Sequence, residues 1–301
     1  MTLQNQFMRY LVTALALFSF LAGMGQTYEF PYDLKNPDGF YELPAELKEI
    51  SGIHVMGKDR IACIQDEVGD IFIYNTASGV IEQRINFGKD NDYEDLEIIG
   101  EDAYILESDG DIHVVKNYLD AGRTVDKEET PLETENNCEG LCYQESTNSL
   151  LIACKGRAGL DKDRDLDNYR AVYRFSLDER ELFEAPVMLV KMSDLMDYSK
   201  INVFARWSYK LASRIDPNGD IRFQPSAIAI HPQTGYIYIT SFVGGVLAVY
   251  DQNTQLIAAE RLDRITFLQP EGLAFDNQGN MYISNESNGG KANILFFEKR
   301  N

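Results

Sequence analysis

Short runs of alternating apolar and polar residues recur along most of the chain, with turn signals such as HPQTGY and DNQGN between them. A period of two residues is typical of half-buried β-strands. Each repeat contains a first strand, a turn, a second strand and usually a third, as in EGLAFDNQGNMYISNES. The repeats begin at Ser51, Glu94, Glu139, Ser226 and Glu271, at intervals of 43, 45, 87 and 45 residues. A period in the forties predicts an all-β fold of the β-propeller class.

The interval of 87 residues between the third and fourth repeats leaves the number of blades open. It holds either two blades, which gives a six-bladed propeller, or one blade and an insertion, which gives five blades. Within residues 192–215, Phe204, Trp207 and Leu211 recur at helical spacing, and strand alternation is poor. The pattern therefore favours a five-bladed β-propeller with a helical insertion near residues 192–215.

The two ends of the domain are expected to meet in one blade. The last repeat leaves room for only three strands, and an incomplete ring would expose an edge strand. A spare strand, DGFYELP, precedes the first repeat. We therefore predict that a strand near residues 38–44 pairs with the C-terminal blade and closes a single propeller domain over residues 26–301.

Residues 1–25 have the layout of a secretory signal peptide, with Arg9 followed by an apolar run and a small-residue end. A retained N-terminal anchor is the alternative, although the run is short for a membrane span. No later apolar run is long enough to cross a bilayer. We expect export to the periplasm, the cell envelope or the medium, with no transmembrane segment in the mature chain.

The net charge of the chain excludes one class of partner, and its cysteines exclude two kinds of site. The formal net charge of −20 argues against nucleic acid, because a polyanion would be repelled. Four cysteines without a CxxC spacing indicate neither a disulfide-dense scaffold nor a zinc site. Cys142 and Cys154 are predicted to lie in adjacent strands, where they form either a disulfide or buried free thiols.

The acid that precedes glycine in several repeats is the candidate chemistry of the chain. In a propeller blade the first strand lines the central channel and the second runs back, so the start of one and the end of the other meet at one mouth. The acids expected there are Glu94, Glu139 and Glu271 from first strands, with Glu67, Glu107 and Glu286 from second strands as further candidates. Oxygen ligands without histidine or cysteine suit Ca²⁺. The alternative is that the acids are spread around the rim, each paired with a lysine, an arginine or water.

The ordered phrases NDYEDLEIIGEDAYILESDGDIHVV, NCEGLCY, PSAIAIHPQTGYIYITS and QPEGLAFDNQGNMYISNES resemble those of the SdiA-regulated, YjiK-like family of exported bacterial proteins. The resemblance covers residue 40 to the C-terminus. It implies a five-bladed propeller, distantly related to the NHL-repeat propellers, with a calcium site and no established function. Asp95-Leu96-Glu97 departs from the family pattern of glycine followed by two apolar residues, and Ser226-Ala227 departs from Ser-Gly.

These observations predict an exported calcium-binding β-propeller that acts as a ligand-binding, protein-binding or scaffold module. Its partner would be a small molecule or a protein at the channel mouth. The alternative is a metal-dependent hydrolase of the lactonase or phosphoesterase type, in which the channel calcium polarises the substrate. His54, on a first strand, is the candidate base for that reaction, and no GxSxG nucleophile motif is present.

Overall fold

The computed structural model describes residues 28–57, 59–161, 166–191, 194–195 and 223–300. These residues form twenty-one strands in five antiparallel sheets, which confirms the all-β, five-bladed propeller. All five sheets lie in the compact unit Tyr32–Asn301. The predicted signal peptide, residues 1–25, lies outside the described residues.

Each blade is one sheet; strands pair in chain order in blades 1, 2 and 4, and in blade 3 the short strands β13 and β14 both pair with β12. Blade 1 contains β2 (Ile50–Gly57), β3 (Arg60–Gln65), β4 (Asp70–Asn75) and β5 (Val80–Asn86). Blade 2 contains β6 (Tyr93–Ile99), β7 (Asp102–Glu107), β8 (Ile112–Lys116) and β9 (Thr124–Glu128). Blade 3 contains β10 (Cys138–Gln144), β11 (Ser149–Cys154), β12 (Tyr169–Ser176), β13 (Glu181–Leu182) and β14 (Met188–Lys191). Blade 4 contains β15 (Ala227–Ile230), β16 (Ile237–Ser241), β17 (Val246–Tyr250) and β18 (Leu256–Arg261).

Blade 5 joins the two ends of the domain. It contains β19 (Pro270–Phe275), β20 (Met281–Asn285), β21 (Asn293–Phe297) and the N-terminal strand β1 (Gly39–Glu42). β1 runs antiparallel to β21, with Gly39 opposite Phe296 and Glu42 opposite Asn293. β1 lies within the segment 38–44 for which the sequence predicts this pairing.

The five inner strands form a closed ring, which makes the six-bladed alternative wrong. β2, β6, β10, β15 and β19 contact one another in that order, and β19 contacts β2. Blades 3 and 4, which flank the long interval in the sequence, are direct neighbours. An added Cβ atom at Gly140 of β10 would lie 2.8 Å from the backbone nitrogen of Ile228 in β15. That distance leaves no space for a sixth blade between them.

The described residues contain almost no helix. They include two three-residue 3-10 helices, Ala45–Leu47 and Glu145–Thr147, and helical residues at 194–195. The helical insertion predicted near residues 192–215 lies outside the described residues except at 194–195, so it stays a prediction. Within the described ranges, no helix combines the length and apolar character needed to cross a bilayer.

The hydrophobic core consists of layers between neighbouring blades, because each sheet is apolar on both faces. Leu106 and Val114 of blade 2 pack against Ile152 and Tyr173 of blade 3. Similar clusters fill the spaces between blades 1 and 2, between blades 3 and 4, and between blades 5 and 1. Burial of each such side chain stabilises the fold by about 1.5–3 kcal/mol. The layers hold the inner strands at fixed positions around the channel.

Cys142 and Cys154 lie in the adjacent strands β10 and β11 as predicted, but the disulfide alternative is wrong because the two residues are not opposite each other. Cys154 lies opposite Cys138, whereas Cys142 lies opposite Leu151. A β-bulge between Cys138 and Gly140 adds one residue to β10 and shifts the pairing at the start of the strand. All four cysteines are buried free thiols.

Candidate metal site at one channel mouth

The start of each first strand and the end of each second strand meet at the same end of the channel, here called the mouth. Backbone hydrogen bonds join these positions in blades 2, 3 and 5. They run from Ser108 N to Asp92 O (3.1 Å), from Lys155 N to Asn137 O (2.8 Å) and from Glu286 N to Gln269 O (2.9 Å). Acidic residues at both positions are therefore brought to one end of the ring.

Each of the acids Glu94, Glu139 and Glu271, here called the bulge acids, occupies a β-bulge at the start of its first strand. The register skips from Tyr93 to Asp95, from Cys138 to Gly140 and from Pro270 to Gly272. The extra residue of a bulge is unpaired, and its side chain is turned away from the regular alternation. The acid precedes the apolar run because it is the extra residue of the bulge and lies outside the regular alternation of the strand.

The glycine after the bulge acid is required by the close approach of neighbouring first strands. An added Cβ atom at Gly272 would lie 2.5 Å from the carbonyl oxygen of Ser51 in the next blade. At Gly52 it would lie 2.6 Å from the Cα atom of Asp95. Both distances are shorter than any normal contact, so only a residue without a side chain fits at these positions.

The bulge acids interact electrostatically with one another. Burial raises the pKa of Glu94 to about 9, and the charges of Glu139, Asp92 and Glu271 add to that rise. Burial, followed by the charge of Glu139, raises the pKa of Glu271 to about 7. Burial also raises the pKa of Glu139, which is 6% exposed. The charges of these acids from blades 2, 3 and 5 therefore act on one another, but among the described residues their carboxylate oxygens do not form a group within 4.8 Å.

Lys155, which follows β11, supplies positive charge to this group. Its Nζ atom lies 2.8 Å from Oε1 of Glu139, and its charge also acts on Glu94 and Glu271. When all are ionised, the bulge acids and Lys155 leave two uncompensated negative charges.

A second group of acids borders the bulge acids on the side of blades 1 and 5. Burial raises the pKa of Glu286 to about 8, and the adjacent Glu49 carboxyl, which hydrogen-bonds to it, contributes to the rise. Burial, with the charge of Glu49, raises the pKa of Asp66 to about 6. The Oδ1 atom of Asp66 is buried without a hydrogen-bond partner in the described structure. A buried carboxylate oxygen without a donor is a position that a cation or a proton can fill.

Two of the six predicted metal ligands lie apart from the bulge acids. Glu67 is exposed to solvent. Glu107 is buried in a network in which Lys127 Nζ donates to its Oε2 atom (2.6 Å) and His113 Nε2 lies 2.5 Å from its Oε1 atom. Although burial opposes its ionisation, these two partners hold the pKa of Glu107 below its usual range. Glu107 is thus already neutralised by protein groups.

Glu107 also belongs to an acidic group that the sequence analysis did not identify. Carboxylate oxygens of Glu107, Asp109 and Asp111 lie within 4.8 Å of one another, a spacing compatible with a bound metal ion. Lys127 bridges two of them, since its Nζ atom is also 3.0 Å from Oδ2 of Asp111. The Lys127 ammonium group thus supplies between these acids the positive charge that a metal ion would supply. The close sequence spacing in ESDGD was the signal for this group.

Asp95 and Glu97 of blade 2 accept hydrogen bonds from the first strand of blade 3. The first strand β10 faces the channel with an unpaired backbone edge. Leu141 N donates to Oδ2 of Asp95 (2.7 Å), and Tyr143 N donates to Oε1 of Glu97 (3.1 Å). Alternate side chains of β6 thus accept hydrogen bonds from alternate amides of β10. These acids hold two blades together and are not free to bind a ligand.

Replacement of Asp95 by alanine is expected to lower the free energy of unfolding by about 2–4 kcal/mol, because it leaves the buried amides of Leu141 and Leu96 without their acceptor. Urea denaturation measures the change. Asp126→Ala, which removes an exposed carboxylate from β9, is the matched control and should stay within about 0.5 kcal/mol of the wild type. Equal effects of the two substitutions would show that the Asp95 hydrogen bonds contribute nothing.

The described contacts of His54, the candidate base, do not include the bulge acids. Its Nδ1 atom is 2.8 Å from Oε2 of Glu97, and the side chain is 27% exposed. His113 pairs with Glu107, and His231 stacks on Tyr238. The described contacts therefore give each histidine a partner from the fold.

The arrangement of sheets and the comparisons with known proteins define the class of the protein as a β-propeller. The family described as Strictosidine synthase-like, N-terminal matches residues 248–287, which include β18, β19 and β20. No curated protein matches the sequence significantly. Together with the ring of five sheets, this match supports the β-propeller superfamily. Membership of the SdiA-regulated family stays a prediction.

Many solved structures share the fold. A luciferin-regenerating enzyme is 9% identical over 88% of this chain and 98% of its own, with a TM-score of 0.50. Streptogramin B lyase is 12% identical over 86% of this chain and 97% of its own, with a TM-score of 0.46. Regucalcin from Agrobacterium tumefaciens, a calcium-binding protein, is 13% identical over 83% of this chain and 76% of its own, with a TM-score of 0.41. At 9% identity the likeness to the luciferin-regenerating enzyme concerns the fold and not the activity.

Proposed function

We propose that the protein is an exported β-propeller that binds Ca²⁺ at the channel mouth and uses that mouth as a rigid surface for a small molecule or a protein. The observation that carries the proposal is the electrostatic coupling of Glu94, Glu139 and Glu271, each of which occupies a β-bulge of a different blade. Mutual repulsion and burial make these carboxylates unfavourable as isolated anions. A cation among them removes that cost.

The donor set fits a hard cation. The bulge acids, together with Asp66 and Glu286, offer only carboxylate oxygens, and Ca²⁺ accepts six to eight oxygen ligands in loose geometry. The partnerless Oδ1 atom of Asp66 lies in the same electrostatic neighbourhood, since the charge of Asp66 acts on Glu271. Bound calcium would tie together first strands of blades 2, 3 and 5. The mouth would then present a preorganised surface to an anionic group or a partner loop.

Calcium titration tests the cation site. We expect calorimetry at pH 8 to detect one bound Ca²⁺ in the micromolar to millimolar range, as in other carboxylate sites. At a hundredfold excess over Kd, the melting temperature should rise by about 5–10 °C. Glu271→Gln should weaken binding at least tenfold. Glu101→Gln, which removes the same charge from an exposed turn, is the control and should leave binding unchanged.

Absence of binding heat together with an unchanged melting temperature would refute the cation site. Equal weakening by both substitutions would show that net charge, and not the mouth, determines binding.

A second assay separates a binding module from a hydrolase. We expect no turnover of lactone or phosphoester substrates with saturating Ca²⁺, since His54 pairs with Glu97 and not with the bulge acids. Turnover that a chelator abolishes would instead favour the hydrolase.

A further inference from the structure

Two cysteines face each other at the mouth end of the inner hairpin of blade 3. Cys138 is the first residue of β10 and Cys154 is the last residue of β11. They are register partners, and their Sγ atoms are 3.7 Å apart. Both side chains are completely buried in the layer between blades 2 and 3. The pair is therefore a close dithiol that the core holds in place.

The backbone around this pair has the register at which cross-strand side chains are closest. Lys155 N donates to Asn137 O, one position beyond the two cysteines (2.8 Å). The amide of Cys138 donates to Ser108 O of blade 2 and not to Cys154 (2.8 Å). The cysteines thus form a non-hydrogen-bonded pair, in which Cα atoms of antiparallel strands are about 4.5 Å apart. Disulfides accept Cα separations of about 4.4–6.8 Å, so rotation of the side chains suffices to join the sulfurs.

The other two cysteines do not have this geometry. Cys142 lies opposite Leu151 and belongs to the layer between blades 3 and 4. Cys63 lies in the layer between blades 5 and 1, and its Sγ atom is 3.8 Å from the carbonyl oxygen of Ile61. The fold thus separates these two thiols from the pair and from each other.

We propose that Cys138 and Cys154 are a dithiol–disulfide couple that staples the inner hairpin of blade 3. A disulfide oxidant RSSR supplies the oxidising equivalents. One cysteine thiolate attacks RSSR and releases one RSH, and the second cysteine displaces the other RSH from the mixed disulfide. The balance is two thiols and RSSR to one protein disulfide and two RSH. Because neither sulfur is exposed in the folded protein, the exchange takes place while the hairpin is still unpacked.

Oxidation closes a loop that includes the turn residues Glu145–Thr147 and ties both ends of the hairpin. A disulfide across a loop of about 15 residues restricts the unfolded chain enough to raise the melting temperature of a domain this size by roughly 6–12 °C. The inference does not depend on the cation site, since it rests on the hairpin alone.

The test uses a Cys63→Ala/Cys142→Ala variant, which retains only the proposed pair. The protein is unfolded, refolded with oxidised glutathione, and then denatured for titration of its thiols. We expect no free thiol after oxidative refolding, two after treatment with a reductant, and a melting temperature roughly 6–12 °C higher for the oxidised form. The control adds Cys138→Ala to the same background. Its melting temperature should not respond to glutathione or reductant.

Two free thiols after oxidative refolding, or equal melting temperatures of the two forms, would overturn the proposal. If the double variant does not fold, peptide mapping of oxidatively refolded wild-type protein replaces it. A linked peptide containing Cys138 and Cys154 would then support the staple, and a link to Cys63 or Cys142 would contradict it.

Discussion

Gly272→Ala is expected to destabilise the protein by about 3 kcal/mol or more, at the upper end of the range for overpacked cores. The new Cβ atom would lie 2.5 Å from the carbonyl oxygen of Ser51 and 2.4 Å from the hydroxyl oxygen of Ser284. Ser284 cannot simply rotate away without cost, because its hydroxyl donates to that same carbonyl oxygen (3.0 Å). Either the hydrogen bond breaks or blades 5 and 1 separate at the closure of the ring.

Urea denaturation of Gly272→Ala measures this effect, and Gly122→Ala is the matched control. An added Cβ atom at Gly122 has no neighbour within 4 Å, and the backbone there is not left-handed. The control should therefore lie within about 0.5 kcal/mol of the wild type. A Gly272 variant as stable as the control would show that the first strands can move apart without cost, which the ring described above does not permit.

Raising the pH from 5 to 9 in the presence of a chelator is expected to weaken the fold. Glu94 and Glu271 have pKa values of about 9 and about 7 in the folded protein, both above the ordinary value of 4.5. Between pH 4.5 and those values the folded protein holds more protons than the unfolded chain, so the free energy of unfolding falls as the pH rises. For Glu271 alone the fall is on the order of 3 kcal/mol.

Melting temperatures measured across this pH range, with chelator and with excess Ca²⁺, test the coupling. Calcium binds the ionised carboxylates, so it should restore stability most strongly at pH 8–9 and release protons on binding. Glu271→Gln should flatten the pH profile in chelator, whereas Glu101→Gln, with the same change in net charge, should not. A wild-type profile that rises between pH 6 and 9, or two variants with identical profiles, would contradict the pKa assignments.

The sequence predicts the ring because the repeat period is a property of the whole blade and survives local irregularity. The phrases at Ser51, Glu139 and Glu271 mark the first strands of blades 1, 3 and 5. An acid before a small residue also indicates a side chain near the axis. What the pattern cannot show is that the acid is a bulged residue, since a bulge changes the count of residues in one strand without changing their composition.

The count of residues from the turn already excludes the pairing of Cys142 with Cys154, and the hidden residue decides which side chain lies opposite Cys154 instead. Counting outward from the turn at Glu145–Thr147 places Cys142 opposite Leu151 and, without a bulge, would place Glu139 opposite Cys154. The bulge at Glu139 moves Cys138 into that position. The repeat also does not show which basic residues of other strands form ion pairs with the acids. Glu107 has the position in its blade that Asn285 has in blade 5, and Lys127 of the outermost strand neutralises it.

The shared sheet of β1 and β21 has a consequence for biosynthesis. Blade 5 contains both the first and the last strand of the domain, because Gly39–Glu42 pairs with Asn293–Phe296. It therefore cannot form completely until the last strand has been synthesised. Until then the nascent chain presents the unpaired edge of β1 and one uncovered face of blade 1. Such long-range pairing forms slowly, and open strand edges invite association between chains. A chain that loses its final strand is therefore expected to accumulate as aggregates or to require a chaperone, even though four of its blades are complete.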